Sequence, residues 1–140
     1  VTLPDGAGQL RVIAGEYEGV HGPARTFTPM NVLDVQLAAG HQLEIAQPEG
    51  WSTLLALRSG VLRVNGEAQL QPIDLATLSA QGAGVCIEAQ GDARLLLLAG
   101  QPIGEPVIGY GPFVMNSVQQ IEQAIEDFNR GRFGRISPTA

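Results

Sequence analysis

The side chains that could bind a transition metal are few and lie far apart in the sequence. His21, His41 and Cys86 are the soft donors among 140 residues, whereas such a metal usually takes three or four ligands. Both histidines lie beside turn glycines and are expected to face solvent. Cys86 alternates with Val85 and Ile87 in a predicted strand, where an inert thiol is the default interpretation. The sequence therefore predicts no metal centre within this chain.

Residues suited to nucleophilic or acid–base catalysis are no better placed. No serine has the spacing of a nucleophile elbow, and the Arg-Ser-Gly at 58–60 is typical of a strand that ends in a turn. The Gly-Ala-Gly at 82–84 lacks the third glycine and the following helix of a dinucleotide site. Glu16 and Glu18 share one face of a predicted strand, as an acid–base pair would, but an exposed edge strand is the favoured interpretation. No catalytic residue is predicted, and the chain alone is not expected to be an enzyme.

Charge and composition exclude two kinds of partner. The chain has 8 basic and 14 acidic residues, a net charge of −6 and no lysine, so it lacks the clustered cations that bind a phosphate backbone. Its longest apolar run, Leu95–Ala99, is too short to cross a bilayer, and nothing resembles a signal peptide. One cysteine rules out an internal disulfide and fits a reducing compartment. We expect a cytoplasmic protein that binds neither nucleic acid nor membrane.

The elements that would position any site are short strands. Alternating segments separated by turn residues at intervals of about ten are typical of an all-β sandwich or barrel. Asn65-Gly66 between two such segments predicts a two-residue hairpin turn, because both positions tolerate the positive φ of that turn. The predicted strands lie at 32–37, 43–45, 54–57, 62–64, 68–70, 75–78, 85–89 and 93–98. With 140 residues, 44% of them apolar, the chain is expected to be one small, mainly β domain.

The tail changes from the strand period to the helix period. Its apolar residues recur at steps of three and four and predict an amphipathic helix at 117–131. That stripe consists of Val118, Ile121, Ile125 and Phe128. Ser117 and Gln120 match a capping box, and Gly131 suits the C-terminal cap. A helix this short is marginal alone in water, so the stripe must dock either on its own barrel or on a second domain.

Two long stretches of the sequence resemble pirins. Residues 11–24, with the motif Gly-Glu-Tyr-Glu-Gly-Val-His-Gly-Pro, resemble the segment that opens the C-terminal half of that family, and residues 26–37 continue it. The run at 104–116, which ends in Gly-Tyr-Gly-Pro-Phe-Val-Met-Asn, resembles the pirin C-terminus together with 121–128 and 131–134. The resemblance is in order and without large gaps over nearly the whole chain.

The resemblance implies one half of a bicupin, a protein in which one chain forms two stacked barrels. In pirins the N-terminal barrel carries an iron centre of three histidines and one glutamate, so Fe(II) is implied for that absent half and no cofactor for this one. The chain opens at Val1 without an initiator Met, which indicates a cloned fragment, a processed product or a piece of a longer protein.

The fold implied is a cupin-type antiparallel β-barrel, or double-stranded β-helix, with a C-terminal amphipathic α-helix. The expected divisions are a metal-free barrel at 1–116, whose residues 1–10 could be an interdomain linker, the helix at 117–131 and a tail at 132–140. This sequence thus resembles the second, metal-free barrel of the family.

The positions of a cupin's metal ligands carry other residues here. The stretch that resembles the first cupin motif is 40–60, where a working barrel has a His-x-His pair followed by a glutamate. This chain has Gln47, Glu49 and Thr53 in that stretch. The region of the second motif, 78–89, has no histidine. No metal ligand of the family can therefore be transferred to this sequence.

Three functions are compatible with the resemblance. The first is a structural and interaction domain, whose helix stripe contacts the N-terminal half, a second copy in a homo-oligomer or another protein, as in the transcriptional co-regulation of nuclear pirins. The second is part of a flavonol-oxidising enzyme similar to quercetin 2,3-dioxygenase, whose chemistry would belong to the full-length parent. The third is a stand-alone cupin that binds a small molecule, with Trp51, Leu55 and Leu57 lining its cavity. The simpler alternative is that these three residues fill the barrel.

Overall fold

The computed structural model describes residues 1–136, which fall into two compact units. The first unit comprises Val1–Pro102, and the second begins at Ile103. The strands of the first unit are β1 (Thr2–Leu3), β2 (Gly8–Ala14), β3 (Glu16–Tyr17), β4 (Val20–His21), β5 (Met30–Leu37), β6 (Gln42–Ala46), β7 (Ser52–Ser59), β8 (Leu62–Val64), β9 (Ala68–Leu70), β10 (Leu75–Thr77), β11 (Gly84–Ala89) and β12 (Ala93–Gly100). The second unit contains β13 (Ile108–Tyr110), β14 (Phe113–Met115) and α1 (Val118–Asn129).

Two antiparallel sheets form the first unit. The larger has six strands in the order β1-β2-β5-β12-β7-β10, and the smaller has four in the order β6-β11-β8-β9. Strands β3 and β4 pair separately as a short hairpin. Neighbours in the large sheet come from distant parts of the chain, as where Leu97 of β12 pairs with Leu33 of β5. This mainly β, antiparallel architecture with a C-terminal helix confirms the fold class predicted from the sequence.

The core of the first unit consists of the inward-facing residues of both sheets. Burial alternates along the strands because successive side chains point to opposite faces. In β12, Leu95 and Leu97 are fully buried, whereas Arg94 and Leu98 are exposed. The largest fully buried side chains are Leu10, Leu33, Val35, Leu37, Ile45, Leu55, Leu62, Ile87, Leu95 and Leu97. Burying one such side chain contributes roughly 1.5–3 kcal/mol, so this shared core holds the two sheets together.

Asn65 and Gly66 form the turn between β8 and β9, as predicted. Both have positive φ, at 51° and 70°. The connection also contains Glu67, whose N–H donates to the carbonyl of Val64 at 3.0 Å, and Val64 pairs with Ala68. The sequence signal therefore located the turn and its backbone conformation, and the connection is one residue longer than a two-residue hairpin.

Two segments of the first ten residues, in β1 and at the start of β2, belong to the six-stranded sheet, while a linker role for residues 1–10 stays a prediction. Strand β1 folds back on β2, with Leu3 paired to Gly8. Both Leu3 and Leu10 are buried in the core. A Cβ at Gly8 would lie 2.0 Å from the carbonyl oxygen of Gln36, so glycine is required for β2 to approach β5 this closely.

The second unit is a hairpin followed by a helix. Strands β13 and β14 pair antiparallel, and α1 packs on both. The predicted capping box is present, since the Gln120 N–H donates to Ser117 Oγ at 3.2 Å and the Ser117 N–H donates to Gln120 Oε1 at 3.1 Å. Gly131 follows the helix with a φ of 70°. The predicted tail at 132–140 lies partly outside the described residues.

Within residues 1–136, the structure contains no helix that is long and apolar enough to cross a membrane.

Candidate functional site

A small cavity lies where the sequence resembles the first cupin motif. Gln47 follows the end of β6 and Thr53 lies in β7, and both line a cavity of about 90 Å³. Both are buried, at 6% and 5% exposure. Trp51 and Val85 line the same cavity. The structure thus brings Gln47 and Thr53 together, whereas Glu49 is exposed and does not line this cavity.

A chain of hydrogen bonds fixes the Gln47 side chain. The backbone N–H of Glu16 donates to Asn31 Oδ1 at 3.1 Å, so the other end of the Asn31 amide must be its Nδ2 donor. That Nδ2 donates to Gln47 Oε1 at 3.2 Å. The remaining atom, Gln47 Nε2, is buried and has no hydrogen-bond partner among the described residues. Leaving such a donor unpaired costs about 1–3 kcal/mol.

The residues at this cavity do not fit a transition-metal ion. Such ions prefer histidine, thiolate or carboxylate ligands. Gln47 offers an amide whose oxygen already accepts from Asn31, Thr53 offers a neutral hydroxyl, and Val85 has no donor atom in its side chain. Across residues 1–136, no group of three or more His, Cys, Asp or Glu side chains is placed to hold a metal ion. The ligand set of a pirin iron centre therefore has no counterpart in the described part of this chain.

The three soft donors do not converge. His21 is exposed in β4. His41 is half-buried, and its ring nitrogens lie 3.2 and 3.3 Å from backbone carbonyl oxygens. Cys86 is half-buried in β11, and Gln42 Nε2 donates to its Sγ at 2.7 Å. His41 and Cys86 are therefore engaged locally, and none of the three donors lines the cavity beside Gln47.

The three predicted cavity residues occupy different surroundings. Leu55 and Leu57 are fully buried in the core of the first unit. Trp51 is half-buried, packs against that core and lines the cavity beside Gln47. The two leucines do not line this cavity, and their burial agrees with the simpler alternative of a barrel filled by side chains. A ligand-binding role for the three residues stays a prediction.

The predicted contact residues of α1 also differ in exposure. Ile121 is buried and Ile125 is half-buried, while Val118 and Phe128 are 59% and 62% exposed. Exposed apolar side chains that lie close together are typical of surfaces that bind another protein. The role of these four residues as contacts with another domain stays a prediction.

An aromatic cluster includes Phe128 within the second unit. The rings of Phe113, Phe128 and Phe133 pack edge to face, with centroids 6.4, 6.1 and 6.1 Å apart. Such pairs contribute about 0.5–1.5 kcal/mol beyond their buried area. Other exposed apolar residues of this unit are Ile103, Val107, Tyr110, Val114 and Ile136. No sequence pattern indicated this cluster, because the helical period covers only one of its three rings.

A group of arginines was also missed in the sequence. Arg11, Arg58 and Arg94 come from three strands of the large sheet and line one groove with Asp34. Arg11 Nη2 lies 2.9 Å from Asp34 Oδ2, and Arg58 Nη1 lies 3.7 Å from Asp34 Oδ1. These arginines are dispersed in the sequence, and only the order of strands in the sheet brings them together.

Tyr17 has a shifted pKa. Its ring packs against the core of the first unit. Burial, together with the nearby Glu18 carboxylate, raises the pKa of Tyr17 above the ordinary value of 10.0. The phenol therefore stays protonated around neutral pH, and it is not poised to act as a base there.

Comparison with known proteins gives consistent matches. The family model described as the pirin C-terminal cupin domain matches residues 32–134. A Pseudomonas aeruginosa protein, whose name provisionally assigns it quercetin 2,3-dioxygenase activity, is 47% identical over 135 residues, which are 96% of this chain and 47% of that protein. A pirin-like protein of Caulobacter vibrioides is 40% identical over 137 residues, which are 95% of this chain and 48% of that protein.

A solved structure agrees with these matches. The crystal structure of quercetin 2,3-dioxygenase from Acinetobacter baumannii superposes with a TM-score of 0.87 at 44% identity and covers 97% of this chain and 47% of that one. This similarity confirms the cupin fold that the sequence motifs implied. The chain spans about half the length of the curated relatives it matches. Since the family model covers most of the chain, this protein belongs to the pirin C-terminal cupin domain family.

Proposed function

We propose that this chain is the metal-free C-terminal half of a two-barrel pirin-like protein, in which it supports and contacts an iron-bearing N-terminal half. The observation that carries the proposal is the coverage of the relatives. The matched region is 96% of this chain but only 47% of the Pseudomonas aeruginosa protein. The rest of such a relative has the length of a second barrel.

The composition of the cavity supports this division. Gln47, Thr53 and Val85 surround a space where the sequence resembles a cupin metal site, and none of the three is an ionisable ligand. A barrel with this lining is not suited to hold iron, and the Fe(II) implied for the family would belong to the absent half.

The second unit supplies a candidate contact surface. More than half of the surface of Val118 and of Phe128 is exposed on α1. Burying such apolar side chains against a partner is favourable. The partner we propose is the N-terminal half of the same protein, and a second copy of the chain is the alternative.

A chimera tests the proposal. In it, this chain replaces the C-terminal half of the Acinetobacter baumannii quercetin 2,3-dioxygenase, to which it is 44% identical. We expect a folded chimera that binds iron, measured by elemental analysis, and no iron retained by this chain when it is purified alone. A tightly bound iron, nickel or zinc in the isolated chain would overturn the proposal.

The same chimera tests the contact surface. Val118→Asp should uncouple the two halves, because it places a charge in an apolar contact. Calorimetry should then show two unfolding transitions in place of one. Gln119→Asp is the control, since Gln119 is exposed in the same turn of α1 and its substitution should leave one transition. A single transition in Val118→Asp would exclude Val118 from the contact.

We also propose that the full-length parent oxidises a flavonol, on the strength of the names of its relatives. A cavity of about 90 Å³ is well below the roughly 300–1,000 Å³ of sites for drug-sized ligands, so a three-ring flavonol does not fit beside Gln47, and the site we propose for it is the iron centre of the other half. Quercetin-dependent oxygen consumption by the iron-loaded chimera is the expected result. An iron-loaded chimera that consumes no oxygen, beside an active Acinetobacter baumannii protein, would count against this activity.

A further inference from the structure

The Gln47 amide keeps one donor that the described chain cannot satisfy. Its Oε1 accepts from Asn31 Nδ2, and its backbone N–H donates to the carbonyl of Ala83 at 3.0 Å. Turning the Gln47 amide over would set its Nε2 against Asn31 Nδ2, which is also a donor. Asn31 itself is held because its Oδ1 accepts from the Glu16 N–H. Residues 1–136 thus supply no acceptor for Gln47 Nε2, and a small molecule or water beside it would supply one.

The cavity beside Gln47 has room for a small molecule. Its volume of about 90 Å³ corresponds to about three water molecules at roughly 30 Å³ each, or to one organic molecule of about four non-hydrogen atoms. The lining runs from the buried Thr53 and Val85 to Gln81 and Gly82, which are exposed. A small molecule can therefore enter from the surface and reach the buried end.

The lining also selects for an uncharged molecule. No Asp, Glu, Lys, Arg or His is among the described residues that line the cavity. A carboxylate would lose its hydration there without meeting a cation, which is costly, whereas a neutral carbonyl oxygen needs only one donor. The apolar part of such a molecule would contact Trp51, Leu78 and Val85.

From these observations we infer that the cavity is a binding site for a small uncharged carbonyl compound, whose oxygen accepts a hydrogen bond from Gln47 Nε2. This inference goes beyond the supporting role proposed above and does not depend on it. It assigns the barrel a ligand of its own beside the stretch that resembles the first cupin motif.

Nuclear magnetic resonance of the 15N-labelled chain tests the inference, with acetamide as the probe. The side-chain NH2 signals of Gln47 should shift in a saturable way, with a dissociation constant of roughly millimolar size because so few atoms make contact. Acetate is the matched charged probe, since it has the same shape and a negative charge. We expect acetate to bind at least tenfold more weakly than acetamide, because burying an unpaired charge is costly.

Two glutamine variants locate the site. Gln47→Met keeps much of the volume and removes the donor, and it should weaken acetamide binding by about tenfold, as loss of one hydrogen bond does. Gln42→Met is the control, because Gln42 lies on β6 with its Nε2 on Cys86 and does not line the cavity. It should leave the dissociation constant unchanged.

The inference is overturned if acetamide, N-methylacetamide and acetone all fail to produce a saturable shift, since water alone would then satisfy Gln47. Equal affinity for acetate and acetamide would also overturn it, as would unchanged binding in Gln47→Met. Should Gln47→Met not fold, the comparison of acetamide with acetate in the unsubstituted chain still decides. None of these outcomes changes the expected iron content of the chimera, so the two proposals can fail separately.

Discussion

At the scale of single residues, the position of Asn31 depends on a glycine opposite it. A Cβ at Gly15 would lie 2.1 Å from Asn31 Oδ1, and Gly15 has a φ of 78°. Glycine is therefore required there for both space and backbone conformation. Asn31 in turn joins the backbone of Glu16 to the side chain of Gln47. The orientation of the cavity amide thus rests on a residue that does not line the cavity.

Replacing Asn31 with alanine should lower the free energy of unfolding by about 1–3 kcal/mol, because the Glu16 N–H and Gln47 Oε1 both lose their partner. Urea denaturation followed by circular dichroism measures this change. Asn129→Ala is the control, since Asn129 is exposed at the end of α1, and it should stay within about 0.5 kcal/mol. Equal stability of the two variants would show that Asn31 does not hold Gln47.

Tyr17 should make stability depend on pH in the alkaline range. The folded chain has the higher pKa, so above pH 10 the unfolded phenol loses its proton while the folded one keeps it. The free energy of unfolding is unaffected below pH 10 and falls as pH rises towards the folded pKa. Tyr17→Phe should reduce this slope in urea titrations, whereas Tyr110→Phe, at an exposed tyrosine, should not. Identical slopes in the two variants would contradict the assignment.

Ile73 carries backbone strain. Its φ is 73°, which is rare for a β-branched residue, and its side chain is 91% exposed. Two hydrogen bonds hold the turn, from the Ile73 N–H to the Leu57 carbonyl at 2.8 Å and from the Gln71 N–H to Asp74 Oδ2 at 2.8 Å. The strain is therefore imposed by the turn, and no buried contact of the side chain opposes its removal.

Ile73→Asn should raise the free energy of unfolding by about 1 kcal/mol, because the left-handed conformation costs most L-residues about 1–2 kcal/mol and asparagine tolerates it. Ile103→Asn controls for removing an exposed isoleucine, since Ile103 is exposed and is not among the residues with positive φ. Thermal and urea unfolding measure both. A loss of stability in Ile73→Asn would mean that the isoleucine makes a contact that outweighs the strain.

At the scale of secondary-structure elements, the start of α1 depends on its cap. Ser117→Ala should destabilise the chain by about 0.5–2 kcal/mol, because the Gln120 N–H loses its acceptor at the first turn. Urea denaturation gives the free energy, and the far-ultraviolet circular dichroism reports helix content. Ser59→Ala, at the exposed end of β7, is the control and should have little effect. Unchanged stability in Ser117→Ala would mean that packing alone fixes where the helix begins.

The sequence predicted most elements of the first unit because their burial follows the pleat. The strand at 32–37 alternates in the sequence, and β5 alternates in burial. The run at 93–98 is almost entirely apolar in the sequence, and only its burial in β12 alternates. Strand β1 was not predicted, because a strand of two residues is too short to show an alternation of apolar and polar side chains. Strand β10 lies at the edge of the six-stranded sheet, and its Leu75 is exposed and not part of the core. The capping box of α1 was predictable since it depends on four consecutive residues only.

The candidate site was predictable only in part. The motif resemblance located Gln47 and Thr53, which share a cavity. It could not show that Asn31 Nδ2 donates a hydrogen bond to Gln47 Oε1, because that contact depends on how β5 and the end of β6 meet in space. The groove of Arg11 and Arg58 around Asp34 was invisible for the same reason. Local patterns identify elements, whereas these contacts arise from the order of strands.

At the scale of the whole molecule, the chain is acidic and spans about half the length of the relatives it matches. Its net charge of −6 continues to argue against binding to a phosphate backbone, although three arginines share one groove. Cytoplasmic location and the absence of nucleic-acid and membrane partners stay predictions from composition. The chain covers only 47% of the Pseudomonas aeruginosa relative, and the proposal of a second barrel in a longer parent rests on that share.

The order of strands in the large sheet also has a consequence for how the protein folds. Strand β12 lies between β5 and β7. Its partner residues in β5 precede it by about sixty residues. Closing a loop of that length costs conformational entropy before the contacts between the two strands can form. The sheet therefore cannot close until residues 93–100 have left the ribosome. We expect folding on the slow scale of sandwiches and barrels, milliseconds to seconds. A nascent chain that stops before β12 would expose its core face for as long as synthesis pauses.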